Sequence, residues 1–133
     1  MKAAVTLEFD RFDEIADKIP RAVAAEVEKT ARGISSDIAT RMAAINGPSS
    51  PGQYPAVDTG NLMNSYLAGT VPIKKDGTAW MVGTNVDYAL PLEYGHKTQD
   101  GGFVAARPHL TPSAERARES FLRRMKNLER NLK

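Results

Sequence analysis

The sequence predicts an α+β domain in which a long amphipathic helix and a C-terminal helix pack on a small antiparallel sheet. Three observations point there. An apolar stripe at helical spacing runs from Val23 to Ile45, a second runs from Ala114 to Leu132, and an Asp76-Gly77 pair lies between two β-type segments. A chain of 133 residues has the length of one domain and no room for a second core of ordinary size. Residues 1–133 therefore read as a single unit.

Residues 3–9 open the chain as a short strand, with Val5, Leu7 and Phe9 on one face. Asp10 is placed to cap a short helix to about Lys18, carrying Phe12, Ile15 and Ala16 on one side. Pro20 suits the first turn of the next helix, where a missing N–H costs nothing. That helix carries Val23, Val27, Ala31, Ile34, Ile38, Met42 and Ile45 at steps of three or four residues, close to the 3.6-residue turn. Over residues 20–46 it would be ~40 Å long, against a radius of gyration of ~14 Å for a compact chain of this size. The mismatch predicts that a neighbouring subunit covers part of the stripe. Asn46-Gly47-Pro48 stops the helix, because glycine accepts the left-handed conformation and proline cannot continue the ladder. Ser49 to Pro55, rich in turn formers, follows as a loop.

Asp58-Thr59-Gly60-Asn61-Leu62 reads as a capped helical turn leading to Tyr66. Leu67 to Ile73 and Ala79 to Thr84 flank Lys74-Lys75-Asp76-Gly77-Thr78. Asp-Gly there predicts a hairpin with a type I′ turn, whose central residues both need positive φ. Val86 to Tyr94 suits a short helix broken near Pro91, and His96 to Ala105 an exposed loop leading to a short strand. Thr111 or Ser113 is placed to cap the last helix, with Glu115 near its positive end. Ala114, Ala117, Phe121, Met125, Leu128 and Leu132 form that helix's apolar stripe.

Composition narrows the chemistry. The chain has no cysteine, which removes disulfides, thiolate zinc sites and cysteine nucleophiles and suits synthesis in a reducing cytoplasm. The N-terminus has no apolar export segment, and no run approaches the eighteen apolar residues of a membrane span. Net charge is +2, unevenly placed. From Arg107 to Lys133 eight Lys/Arg stand against three Glu, a net of +5, so the rest of the chain carries −3. A basic tail of this kind suits nucleic acid or an acidic partner surface; a solvated helix face explains it as well.

The two histidines, His96 and His109, lie thirteen residues apart in or beside loops. Metal sites need ligands at short fixed spacings on rigid elements, so both read as surface or interface residues. Asp58, Asp87, Glu93 and Lys97 are the residues a magnesium-dependent nuclease would use, but Asp58 is better employed as a cap and Asp87 falls in a turn. No phosphate-loop pattern occurs, and Ser65, Ser113 and Ser120 lack a nucleophile-elbow context. The sequence thus reads as a non-enzyme with no cofactor. Tyr54, Tyr66, Trp80, Tyr88, Tyr94 and Phe103 gather in the middle of the chain beside several acidic residues. Core and interface packing account for them better than base stacking.

Three stretches carry a resemblance. Ser50-Pro51-Gly52-Gln53-Tyr54-Pro55 leads into Asp58-Thr59-Gly60-Asn61-Leu62-Met63-Asn64-Ser65; Val82-Gly83-Thr84 is followed by Tyr88-Ala89 and Glu93-Tyr94-Gly95; Ala106-Arg107-Pro108-His109-Leu110 leads into the last helix. In this order, after a long amphipathic helix, they resemble the tail-completion (head–tail joining) family of long-tailed bacteriophages over roughly residues 7–125. His109 stands where that family usually has an aromatic, and the Lys97–Gly102 loop is longer. The motif residues Asp58, Thr59, Gly60, Leu62, Gly83, Thr84, Tyr88, Ala89, Glu93, Gly95, Arg107 and Pro108 read as scaffold. Thr59-Gly60 makes a tight turn, Gly83 and Gly95 allow close approach or positive φ, and Arg107-Pro108 fixes an extended lead-in.

The resemblance implies a structural virion protein of the neck or tail. Six copies would form a ring that completes the tail and joins it to the head. DNA would pass through without sequence-specific binding, and head-completion or stopper and tail-terminator proteins would be the neighbours. Rings follow from head-to-tail interfaces. Subunit contacts are expected on the 47–57 loop, the 94–103 loop and the exposed side of the long helix, with Pro51, Tyr54, Pro55, His96 and Phe103 as contact residues. A tail-terminator or stopper ring of the same junction, or a basic DNA-binding module working through the last helix, are the competing expectations. No membrane partner is expected.

Overall fold

The computed structural model describes residues 3–8, 20–58 and 60–131. In chain order these form β1 (Ala3–Glu8), α1 (Pro20–Ala43), α2 (Asn61–Ala68), β2 (Thr70–Pro72), β3 (Ala79–Thr84), α3 (Ala89–Tyr94), β4 (His96–Lys97), β5 (Phe103–Val104) and α4 (Leu110–Asn131). This is the α+β arrangement expected, two long helices with a small antiparallel sheet. The short helix expected at 10–18 lies outside the described residues, as do Phe9, Thr59 and Leu132.

β3 is the central strand of a three-stranded antiparallel sheet of order β1-β3-β2. Its register sets Ala3 opposite Thr84, Val5 opposite Val82 and Leu7 opposite Trp80 on one side, and Thr70 opposite Val82 on the other. Directly opposed residues share a face, so Val5, Val82 and Thr70 point one way together with Leu7 and Trp80. Val82 is fully buried and Trp80 nearly so. α1 lies against this sheet, and the Arg32 guanidinium sits 5.1 Å from the centroid of the Trp80 ring. β4 and β5 make a separate two-stranded hairpin inside what the sequence suggested was a loop.

The stripe of α1 is the core. Val23, Val27, Ala31, Ile34, Ile38 and Met42 are all at most 3% exposed, packed with Leu62, Tyr66, Leu110 and Met125. Each such side chain contributes roughly 1.5–3 kcal/mol by leaving water. α4, α2 and β3 cover the stripe from within the chain, which overturns the expectation that a neighbouring subunit completes it. Two polar residues fit in the buried stretch because they bond back along the helix: Thr30 Oγ1 donates to the Glu26 carbonyl at 2.8 Å and Ser35 Oγ to the Arg32 carbonyl at 3.2 Å.

The turns depart from expectation in three places. The β2–β3 connection is a hairpin, but among its described residues only Gly77 has positive φ. Its amide donates to the Lys74 carbonyl at 3.1 Å, and Asp76 accepts from the Thr78 amide and hydroxyl. The side chain of Asp76 closes the turn instead of a type I′ backbone. α2 starts from Gly60 at φ 84° with no side-chain cap, so Asp58, which is exposed, does not cap it. α3 runs unbroken through Pro91, because that proline falls in the first turn, where its missing N–H has no helical partner to lose.

Gly69, between α2 and β2, was not singled out by the sequence. A Cβ there would lie 2.0 Å from the carbonyl oxygen of Gly83, and the Gly83 amide donates to the Gly69 carbonyl at 3.2 Å. Helix end and central strand touch backbone to backbone at this point.

Candidate functional site

The C-terminal helix begins at Leu110, and neither Thr111 nor Ser113 caps it. Its cap comes from α3. Glu93 is 5% exposed, and its carboxylate accepts the backbone N–H of Leu110 at 2.8 Å and those of His109 and Thr111 at 3.3 Å. The first turn of α4 contains no acidic residue; Glu115 falls beyond it. An anion at a helix N-terminus meets both the free amides and the positive end of the helix dipole. Burial of Glu93 is therefore compensated in place.

His109 is fully buried, contrary to its reading as a surface or interface residue. Its Nδ1 lies 3.0 Å from the Arg107 carbonyl and its Nε2 2.9 Å from the Tyr66 hydroxyl. A carbonyl only accepts, so Nδ1 carries a proton, and in the neutral ring Nε2 then accepts from Tyr66. The Tyr66 ring meets the imidazole edge-on at 5.4 Å and 71°. Burial first, then the Glu93 charge, push the Tyr66 phenol well above its ordinary range. Tyr66, His109 and Glu93 resemble an acid–base set in composition, but both rings are fully buried, and Glu93's oxygens accept backbone amides, with Oε1 also 3.5 Å from His109 Nδ1.

The remaining motif residues interlock around this cluster. Ser65 Oγ donates to the Leu62 carbonyl at 2.7 Å and shares a short hydrogen bond with Thr84 Oγ1, which in turn accepts the Val86 amide at 3.1 Å. The Arg107 guanidinium reaches Ser49 Oγ and the Ser49 carbonyl at 3.1 Å and the Ala105 carbonyl at 2.8 Å. The Arg107 amide donates to the Leu92 carbonyl at 2.7 Å, and the Gly52 amide to the Ala106 carbonyl at 2.9 Å. Gly95 has φ 78°, and a Cβ there would lie 2.9 Å from the Phe103 ring and the Val104 carbonyl. Ala89 is fully buried, while Tyr88 is half-exposed at the start of α3. Gly83 is buried in β3 and Pro108 half-buried.

The expected contact residues divide. Pro55 is buried and Tyr54 half-buried. The Tyr54 hydroxyl lies 2.6 Å from Ser113 Oγ, its ring is flanked by the Arg41 and Arg116 guanidinium groups at 5.7 and 5.8 Å, and Arg116 also hydrogen-bonds its hydroxyl. Pro51 is exposed, and His96 is half-buried on β4. Phe103 and Tyr94 are the most exposed large apolar residues described, at 67% and 68%. A hollow of about 480 Å³ opens between the 49–58 loop, α2 and α3, with Val57, Met63, Tyr88 and Asp58 among its walls.

The sequence did not flag a second polar centre, at Asp37 on α1. Its carboxylate accepts from Ser113 Oγ at 2.7 Å, Arg116 at 2.8 Å and Arg41 Nε at 3.0 Å. Burial raises the Asp37 pKa, but these hydrogen bonds outweigh it and hold the group below the ordinary carboxylate range. Farther along, Arg124 Nε meets Glu26 at 2.5 Å and its terminal nitrogen meets Thr30 Oγ1 at 2.6 Å. Only the i, i+4 spacing of Asp37 and Arg41 was visible in the sequence. The rest depends on how α4 crosses α1.

Among the described residues no three His, Asp or Glu side chains are grouped to hold a metal ion, and no helix is long and apolar enough to cross a membrane. No family model, no curated protein and no solved structure matches the chain.

Proposed function

We propose that the chain is a structural virion protein of the neck or tail junction of a tailed bacteriophage. In this reading copies form a ring that completes the tail and joins it to the head, with DNA passing through. The observation that carries it is the joining of the three family-like stretches into one scaffold. Ser65 of the first touches Thr84 of the second, Glu93 of the second caps the helix led by the third, and the Gly52 amide of the first donates to the Ala106 carbonyl of the third. Ser65, Thr84, Glu93, Arg107 and His109 thereby hold loops and helix ends together. Exposed Tyr94 and Phe103 suit a protein contact, since large aromatic groups are enriched where partners bury them.

The same features suit a terminator or stopper ring, which would share the interface but sit at another level of the junction. Deleting the gene distinguishes the readings. Loss of a completing protein leaves filled heads and free tails of normal length that do not join, whereas loss of a terminator leaves tails of irregular length. Normal yields of joined particles would refute the whole proposal. Tyr94→Asp with Phe103→Asp, in a chain that still folds, is expected to fail to restore joining.

A further inference from the structure

A groove of about 380 Å³ runs between α1 and α4, lined by Lys29, Thr30, Gly33, Asp37 and Arg41 from one helix and Ser113, Arg116, Ser120 and Arg124 from the other. Its charge is unbalanced. Arg41 and Arg116 share the single carboxylate of Asp37, and Arg124 is matched by Glu26. Lys29 has no ion-pair partner among the described residues, and Arg123 at the edge meets only the Ser120 hydroxyl, at 3.3 Å. Two positive charges are left over among the lining residues, and Arg123, bonded to the lining Ser120, adds a third beside them. Ser120 accepts from Arg123 and keeps its own proton to donate. Arg41 engages Asp37 through Nε, which leaves terminal N–H groups for a second acceptor, whereas Arg116 shares its fork between Asp37 and the Tyr54 hydroxyl.

Gly33 gives an independent indication. It sits in the middle of α1, where glycine is unfavourable, and it has no left-handed φ to justify it. A Cβ at Gly33 would meet nothing within 4 Å, so packing inside the chain does not require it either. A glycine unexplained by fold and lining a groove leaves room for another molecule to approach the helix backbone.

We propose that this groove binds the phosphate backbone of nucleic acid, without base readout. From Lys29 to Arg41 it follows ~18 Å of helix, and a duplex strand offers a phosphate about every 3.4 Å of axis over that distance. A regular row of anions fits a straight groove whose cations are mostly planar forks; an acidic peptide would need its carboxylates placed to match. The site differs from a purely C-terminal basic helix because α1 supplies Lys29, Arg41 and Gly33. The inference stands on charge and shape, and does not rest on the junction reading.

The test is anisotropy with a labelled 30-base-pair duplex of arbitrary sequence, across salt. With about three phosphates neutralised, log affinity should fall with log salt at a slope of about −2.7, roughly 40-fold between 50 and 200 mM. Lys29→Gln with Arg123→Gln should reduce that slope by about two-thirds. Gly33→Leu should abolish binding while the circular dichroism spectrum stays unchanged. Arg118→Gln with Arg130→Gln, outside the groove, should change affinity less than 3-fold. The proposal is overturned by any of three results: no binding at 50 mM salt, equal losses in the groove and control pairs, or competition by poly-glutamate as effective as by duplex at equal charge.

Discussion

Replacing Glu93 removes the acceptor for three backbone amides at the start of α4. The Leu110 bond at 2.8 Å is short and charge-assisted, a kind that contributes about 1.5–3 kcal/mol. The contacts at 3.3 Å to His109 and Thr111 lie at the long end of the range and count for less. Favourable placement against the helix dipole adds up to ~1 kcal/mol. Some of this is returned, because a carboxylate 5% exposed no longer has to be desolvated. Thr111 is exposed and can turn to water, but the amides of His109 and Leu110 are left buried. The balance is about 3 kcal/mol for Glu93→Ala and about half that for Glu93→Gln, which keeps one acceptor oxygen. For a domain of this length 3 kcal/mol is roughly a 12 °C fall in Tm. Urea denaturation followed by circular dichroism gives the free energies, and amide exchange at residues 109–111 should accelerate ahead of exchange in α1. If both variants stay within ~0.5 kcal/mol of the parent, the range of ordinary surface substitutions, Glu93 is not the cap that holds α4.

Three further outcomes are expected. Gly69→Ala places a methyl 2.0 Å from the Gly83 oxygen and should cost about 3 kcal/mol or more, read as a lower urea midpoint. Tyr66→Phe leaves His109 Nε2 without its donor in a fully buried site and should cost about 1–3 kcal/mol, measured the same way. Asp37 has its folded pKa below the ordinary 3.8, so its contribution is fully present above that value and is lost as pH falls through the folded pKa. Asp37→Asn should therefore be less stable at neutral pH, and the gap should narrow in denaturation curves taken progressively below 3.8.

How much of this was legible in the sequence depended on the distance over which each feature is written. The α1 stripe was readable because its residues recur within one helix, and six of its seven members are core. Ile45, the seventh, falls past the end of the helix and is half-buried. The β2–β3 hairpin was readable because Asp76-Gly77 signals a turn locally, although the bonds from Thr78 to Asp76 chose its geometry. The cap of α4 was not readable. Glu93 lies 17 residues before Leu110, and nothing in that spacing competes with the nearer Thr111 and Ser113, so local cap rules favoured the wrong residues. His109 was misjudged for a similar reason: what makes it a core residue is Tyr66, 43 positions away. Gly69 and Asp37 likewise depend on partners brought close only by the fold. Of the contact residues, Phe103 and Pro51 lie at the surface, while Pro55 and Tyr54 are largely consumed by the chain's own packing.

An electron-microscopy reconstruction of purified particles, with the chain located in it, bears most directly on the proposed role. The expected map shows a ring of copies at the head–tail junction, with Tyr94 and Phe103 covered by protein and the scaffold around Glu93 and His109 unchanged. A particle complete without this chain, or one in which those two aromatic residues stay in solvent, would contradict it.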